Sequence, residues 1–134
     1  MRYLLDTNIC IYLIKKKPLE VLQKFNAYVV GEIGVSVITV AELEFGVQKS
    51  QHPVQNQQAL EKFLLPLTLV DFDYLAAITY GHIRAILETQ GTPIGSLDTL
   101  IAAHALSLDL TLVTNNTREF SRVPNLKVVN WASE

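Results

Sequence analysis

The chain has 134 residues, of which 49% are hydrophobic and 18% are charged, and its formal net charge is −2. This length favours a single domain that is large enough to bury a hydrophobic core. The slightly acidic balance, with a pI of about 5.9, excludes a protein that binds nucleic acid through overall positive charge. Any contact with RNA or DNA must therefore depend on a local basic patch.

The compartment is indicated by the cysteine count and by the N-terminal stretch. The single cysteine, Cys10, cannot form an internal disulfide, and we interpret it as a buried structural thiol. The first apolar stretch is broken by Asp6 and Asn8, and its lysines follow rather than precede it, unlike those of a signal peptide. No apolar run approaches the ~20 residues of a membrane span. We therefore expect a soluble, cytoplasmic protein.

Segments typical of strands and helices alternate along the chain. Short apolar strands are predicted at 3–5, 33–38, 67–70, 110–113 and 127–129. Helices are predicted at 9–15 with Thr7 or Asn8 as the cap, at 20–30, at 39–47 with Thr39 as the cap, and at 53–65, 74–89 and 98–108. This alternation favours an α/β fold with a mostly parallel sheet of about four or five strands and helices on both faces.

Polar residues follow two of the predicted strands directly. Asp6 follows the first strand, and the stretch 114–116 follows the fourth, where open α/β sheets form their ligand crevice. Carboxylates that met there at ~5 Å would repel by about 3 kcal/mol per pair at an effective dielectric constant of ~20, so they would need a proton or a cation. No histidine or cysteine pair stands at ligand spacing, and His104 is expected to pack on its helix. Oxygen ligands alone favour Mg²⁺ or Mn²⁺, which suit phosphoryl chemistry.

Each acid also has a structural explanation when it is taken alone. Asp6 is as suited to capping a helix as to an active site. Glu42 and Glu44 are equally plausible from helical position, and either suits a solvated surface. Asp98 can cap the helix that it begins, and Glu119 has the surroundings of an ordinary surface acid.

Four stretches of the chain resemble the PIN-domain ribonucleases and, within them, the VapC toxins of bacterial toxin–antitoxin pairs. The stretches are LLDTNICIY, SVITVAELEFG, IGSLDTLIAAHAL and LTLVTNNTREFSRV. Their order and spacing make the resemblance specific, and it covers essentially the whole chain, residues 1–134, as a single PIN domain. The chain is especially similar to the VapC branch that cleaves initiator tRNA.

The resemblance implies a set of catalytic residues. The metal-binding acids fall on Asp6, Glu42 and Asp98, and the pattern S-x-x-T-x-x-E-L selects Glu42 over Glu44. Many relatives carry an aspartate where this chain has an asparagine at position 116, so the fourth catalytic carboxylate is Glu119 or is missing. The supporting polar side chains that the resemblance implies are Thr7, Asn8, Thr114, Asn115 and Asn116.

The same resemblance implies a function and partners. The protein would be an endoribonuclease dependent on Mg²⁺ or Mn²⁺ that cleaves initiator tRNA in the anticodon region, which inhibits translation and growth. A VapB-type antitoxin would bind the protein and place its tail in the acidic pocket, and both would lie in the bacterial cytoplasm. A homodimer through apolar helices is also implied. The candidate dimer contacts are Ile9, Ile11, Tyr12, Ile14 and the helix from Pro53, although core packing explains these residues better.

Two other functions remain open on the residues alone. A metal-binding receiver or binding module of α/β fold, without nuclease activity, would also carry Asp6, but it does not explain Glu42 and Asp98. A metal-dependent phosphatase with Asp6 as nucleophile commonly has a second aspartate two residues later, where this chain has Asn8.

The basic run Lys15–Lys17 is better explained by a solvated helix C-terminus than by phosphate binding.

Overall fold

The computed structural model describes residues 1–132, and its centre is a sheet of five short strands. The strands are β1 (Tyr3–Leu5), β2 (Ile33–Ser36), β3 (Thr68–Val70), β4 (Thr111–Val113) and β5 (Val128–Val129). Every pairing is parallel, and the strand order is β3-β2-β1-β4-β5. The predicted α/β fold with a parallel sheet is confirmed, and the strand boundaries of β1, β3, β4 and β5 lie within one residue of the prediction.

Helices and one 3₁₀ turn, Val30–Glu32, connect the strands. The helices are α1 (Thr7–Lys15), α2 (Leu19–Asn26), α3 (Val37–Gln48), α4 (Pro53–Leu64), α5 (Tyr74–Thr89), α6 (Ser96–Ser107) and α7 (Thr117–Phe120). Within residues 1–132, none of these helices combines the length and the apolar character that crossing a bilayer requires.

The buried side chains form two hydrophobic clusters, one on each face of the sheet. In β1, Leu4 packs into one cluster with residues of α5 and α6. Tyr3 and Leu5 point to the other face, where they meet residues of α1, α2, α3 and α4. This alternation follows from the two-residue period of a strand. All three residues of β1 are therefore buried, as the continuous apolar run predicts.

The strand order creates a switch point beside β1. The chain passes from β1 to β2 and β3 on one side of the sheet, and β4 and β5 then pair on the other side. Where the connections from two neighbouring strands run in opposite directions, a crevice opens at the carboxyl ends of those strands. Ligands bind in this crevice in folds of this type. Asp6 follows β1 and Thr114 follows β4, so both residues lie at this crevice.

The boundary between β2 and α3 differs from the prediction. The strand ends at Ser36 rather than at residue 38, and the helix begins at Val37, so Thr39 is not its cap. Ser36 closes the strand and caps the helix, because its Oγ accepts the N–H of Ile38 over 3.1 Å. Val37 and Ile38 are β-branched and favour a strand locally, but tertiary packing and the Ser36 cap outweigh this preference, so both residues are helical.

Other helix ends also correct the sequence predictions. Asp6 caps α1, since its side chain accepts the N–H of Thr7, and Thr7 and Asn8 therefore lie inside the helix. Asp98 lies in the first turn of α6, and the cap position belongs to Gly95. The predicted helix at 20–30 ends at Asn26, and the short helix α7 was not predicted because four residues show no period.

The first helix is less available for a dimer contact than its sequence suggests. Ile9 is fully buried in the core, and Ile11, Tyr12 and Ile14 pack partly against the same cluster. Core packing therefore explains these side chains, as the sequence favoured.

Candidate active site

The centre of the candidate site is Asp6, which leaves β1 at the switch point. Its side chain is 4% exposed. Oδ1 accepts the N–H of Thr7 over 2.7 Å, and Oδ2 accepts the hydroxyl proton of Thr114 over 2.7 Å. Thr114 Oγ1 in turn accepts the N–H of Asn116 over 3.0 Å. Both carboxylate oxygens of Asp6 are thus held in fixed directions by the ends of two neighbouring strands.

Glu42 joins this group through α1. Its Oε1 accepts the hydroxyl proton of Thr7 over 2.6 Å, and the Thr7 hydroxyl also lies 3.4 Å from that of Thr39. Glu44 lies on another side of α3, where its Oε2 accepts an N–H of Gln57 from α4 over 3.2 Å. The structure therefore separates two glutamates that helical position alone left equivalent, and it favours Glu42.

Asp98 and Glu119 approach each other on the opposite side of the crevice. Glu119 accepts the backbone N–H of Gly95 at Oε1 and the amide N–H of Asn116 at Oε2, each over 2.9 Å. The two carboxyl groups meet beside Gly95, where a Cβ would lie 3.5 Å from Oδ2 of Asp98 and 3.8 Å from Oε1 of Glu119. Two neighbouring carboxyl groups can share a hydrogen bond only when one of them carries a proton, and the pair then has one charge less than two free acids.

The pKa directions identify where that proton resides. Burial raises the pKa of Asp98 most strongly, and the neighbouring Glu119 and the charges of Asp6 and Glu42 act in the same direction, so that together they raise it to about 7. The N–H groups of Gly95 and Asn116 lower the pKa of Glu119. In the absence of a cation, Asp98 is therefore the partner that takes up a proton first as the pH falls through about 7, while Glu119 stays charged.

Asp6 experiences opposing influences. Burial raises its pKa most strongly, and the charges of Glu42 and Glu119 act in the same direction. The hydrogen bonds from Thr114 and Thr7 lower that pKa, because they stabilise the charged carboxylate. The mutual electrostatic effects show that the four predicted acids share one neighbourhood.

The remaining predicted polar residues differ in their placement. Asn116 supports Glu119, whereas Asn115 donates from Nδ2 to the hydroxyl of Tyr12 over 2.7 Å, and its own Oδ1 is buried without a partner among the described residues. Asn8 is exposed on α1 and takes no part in the hydrogen bonds described for residues 1–132. The support from Gly95 and Tyr12 was not predicted, because a backbone donor and a distant hydroxyl leave no local sequence pattern.

The donor set fits a hard divalent cation. The crevice offers the carboxylates of Asp6, Glu42, Asp98 and Glu119 and the hydroxyl of Thr114, which are oxygen ligands of the kind that Mg²⁺ and Mn²⁺ prefer. Within residues 1–132, however, no three acidic, histidine or cysteine side chains already stand in an arrangement that holds a metal. The acids form a loose cluster that a cation would have to draw together.

Basic side chains around the crevice are few and partly engaged. Arg122 donates to the carbonyl of Pro93 over 3.1 Å, and its charge lowers the pKa of Glu119. Arg84 forms an exposed ion pair with Glu88 over 2.8 Å. The run 15–17 is exposed at the C-terminal end of α1, as expected for a solvated helix end.

Comparison with known proteins agrees with this geometry. The family model described as PIN domain matches residues 3–126. A protein of Haemophilus influenzae named ribonuclease VapC2 is 50% identical over 131 residues, which cover 98% of each chain. A protein of Shigella flexneri named tRNA(fMet)-specific endonuclease VapC is 45% identical over 132 residues, which cover 98% of this chain and 99% of that one.

The fold agrees equally well with a solved structure. The crystal structure of DNA-bound VapBC from Salmonella typhimurium matches with a TM-score of 0.93 and 43% identity, over 98% of both chains. These similarities favour a nuclease over a binding module. The chain belongs to the PIN-domain family and, within it, to the VapC ribonucleases.

Proposed function

We propose that this protein is the toxin of a VapBC-type pair and an endoribonuclease that depends on Mg²⁺ or Mn²⁺. We further propose initiator tRNA as its substrate, cleaved in the anticodon region, which stops translation and growth in the bacterial cytoplasm. The name of the similar Shigella protein, a tRNA(fMet)-specific endonuclease, supports the substrate. Residues 1–134 would act as one PIN domain.

The pairing of Asp6 with Thr114 carries the proposal. It places an oriented carboxylate at the switch point of a parallel sheet, with Glu42 held beside it by Thr7 and the pair of Asp98 and Glu119 opposite. A structural cap alone does not require three further acids in the same crevice, because each like charge at ~5 Å costs about 3 kcal/mol. Such a cost is typical of a functional site.

Each acidic residue of the site would have its own role in RNA cleavage. Asp6, Glu42 and Asp98 would hold the cation, which when bound lowers the pKa of a water and stabilises charge on the attacked phosphate. Thr114 and Thr7 keep two of these carboxylates oriented. Glu119, whose pKa is lowered, stays charged at neutral pH and is suited to orient the attacking water. Attack of this water on phosphorus, with O3′ as the leaving group, would produce one RNA end with a 5′-phosphate and one with a 3′-hydroxyl.

A groove next to the acids suits the VapB-type partner. It has a volume of about 380 Å³ and lies between α1, α3 and α4. Thr7, Glu42 and Lys15 are among the residues that line it, and its apolar lining includes Ile11 and Leu43. We propose that an apolar segment of the antitoxin occupies this groove, because its lining is partly apolar and includes Glu42 of the acidic cluster. An arginine of that segment would then pair with the carboxylates.

A homodimer is the second assembly that we propose. Large apolar side chains are exposed along the start of α5, where Tyr74, Leu75 and Ile78 are 80%, 55% and 40% exposed. Exposed apolar clusters of this kind are typical of interfaces between chains. This face replaces α1 as the candidate dimer contact.

The proposed function is tested by cleavage of total tRNA with and without EDTA and by sequencing of the new RNA ends. We expect cleavage only with Mg²⁺ or Mn²⁺ and one dominant cut in the anticodon loop of initiator tRNA. E42Q and E44Q form a matched pair on α3, because only Glu42 faces the site. E42Q and D6N should abolish cleavage, and E44Q should retain it. Cleavage that persists in EDTA, or in folded D6N, would overturn the proposal.

A further inference from the structure

One buried polar pair lies outside the acidic cluster. His104 of α6 is 1% exposed, and its Nδ1 lies 2.8 Å from Oγ of Ser36, which is also fully buried. The ring meets Phe72 edge-on, with 5.3 Å between the ring centres. The sequence predicted only that His104 packs on its helix. The contact with Ser36 instead joins two residues that lie 68 positions apart.

Ser36 can cap α3 and hydrogen-bond to the histidine at the same time. Ser36 Oγ accepts the N–H of Ile38 as the cap of α3, and a serine hydroxyl has only one proton to donate. Nδ1 lies within hydrogen-bond distance of Oγ, so the two side chains are linked with Nδ1 as acceptor of the hydroxyl proton in one ring tautomer and as donor to Oγ in the other. Burial lowers the pKa of His104, which keeps the ring neutral, although Asp71 and Asp73 act in the opposite direction. Nε2 itself has no hydrogen-bond partner among the described residues.

This pair connects the two helices that carry opposing acids. Ser36 caps α3, which carries Glu42, and His104 lies six residues after Asp98 on α6. Among the side-chain hydrogen bonds described for residues 1–132, it alone links α6 to the start of α3. A shift of α3 at its cap would move Glu42 relative to Asp98.

The geometry points to His104 as a positioning residue: through Ser36, it holds the start of α3 against α6 and thereby fixes the separation of Glu42 and Asp98. This inference rests on the proposed function, because it requires the two acids to act in one site. A misplacement of about 1 Å can reduce catalysis by up to ~100-fold. A neutral, buried histidine suits this task because it joins two elements without adding a charge to the core.

Three variants test this role by the kcat and KM of RNA cleavage per folded molecule. H104L removes the acceptor and keeps similar bulk, whereas H104N keeps a polar acceptor near the position of Nδ1. We expect H104L to lower kcat about tenfold with little change in KM, and H104N to recover most of that loss. F72L is the packing control, because it weakens the contact with the ring but leaves the bond to Ser36 intact. F72L should lower stability without lowering kcat.

A double variant and the single variant S36A complete the test. S36A and H104L should not be additive in kcat, because they remove the same link. A folded H104L with wild-type kcat would overturn the positioning role, provided that D98N is inactive. Wild-type activity in D98N would instead overturn the proposed function. If H104L does not fold, S36A alone still decides, since wild-type kcat in folded S36A contradicts the inferred link and a lowered kcat with little change in KM supports it.

Discussion

Thr114 donates a hydrogen bond to Asp6 over 2.7 Å, although the two residues lie 108 positions apart in the chain. The bond is buried and joins the ends of β1 and β4, which pair in parallel. It orients the carboxylate and lowers its pKa. A hydroxyl that donates to a metal-binding acid contributes to function mainly by fixing that acid in one orientation.

The first prediction concerns this hydroxyl. T114V keeps the shape of the side chain but removes the donor, so the pKa of Asp6 should rise further and its orientation should loosen. We expect a 10- to 100-fold loss of RNA cleavage, the range typical of residues that orient metal ligands. T114S keeps the hydroxyl and should retain most activity. Initial rates at saturating Mn²⁺ measure the effect, and equal rates for T114V and T114S would contradict it.

The position of Asp6 was predictable, whereas the choice of its partners was only partly so. An apolar strand that ends on an acid in a parallel sheet places that acid at the crevice, whatever the details of packing. Glu42 and Glu44 could not be separated by pattern, because apolar residues flank both. The structure separates them through Thr7 and Gln57, which are tertiary contacts.

Long-range contacts explain most of what the sequence could not predict. The support of Glu119 by the N–H of Gly95 spans 24 positions and uses a backbone atom that every residue type provides. The link between His104 and Ser36 depends on how two helices meet. The correct start of α3 depends on the Ser36 cap, which competes with the local strand preference of Val37 and Ile38.

The second prediction concerns the pH dependence of stability in the metal-free protein. The pKa of Asp98 is raised from its ordinary value of 3.8 to about 7, so the folded protein binds this proton more tightly than the unfolded chain. Between those values the free energy of unfolding should therefore fall as pH rises. D98N cannot titrate and should show a smaller fall. Urea unfolding in EDTA at about pH 5 and about pH 8 measures the difference, and equal slopes for both proteins would contradict it.

The third prediction concerns the asparagine at position 116. Asn116 donates to Glu119, so N116D replaces a donor with a like charge, at a cost of up to about 3 kcal/mol at ~5 Å separation. We expect N116D to unfold at a lower temperature in EDTA, and added Mn²⁺ to recover the loss by neutralising the carboxylates. Thermal unfolding with and without Mn²⁺ measures this. The variant N116D/E119Q removes the repulsion and should unfold near the wild-type temperature in EDTA.

The fourth prediction concerns the groove proposed for the antitoxin. Gly46 lines the groove, and a Cβ added there would meet no atom within 4 Å. G46F should therefore fold and fill part of the groove, which would weaken binding of the VapB-type partner at least tenfold, or by about 1.4 kcal/mol. G46A adds too little volume to block the groove, and it should stabilise α3 by roughly 0.5–1 kcal/mol because glycine costs this amount within a helix.

Calorimetric titration of the VapB-type partner into each variant measures its affinity, and urea unfolding measures stability. The two variants distinguish the effect of filling the groove from the effect of removing a glycine from α3. Both variants remove the glycine, but only the side chain of G46F fills part of the groove. A loss of affinity in G46F with normal affinity in G46A would place the partner beside Ile11 and Leu43, next to Glu42. Equal, tight binding by both variants would mean that the partner reaches the acids from another direction.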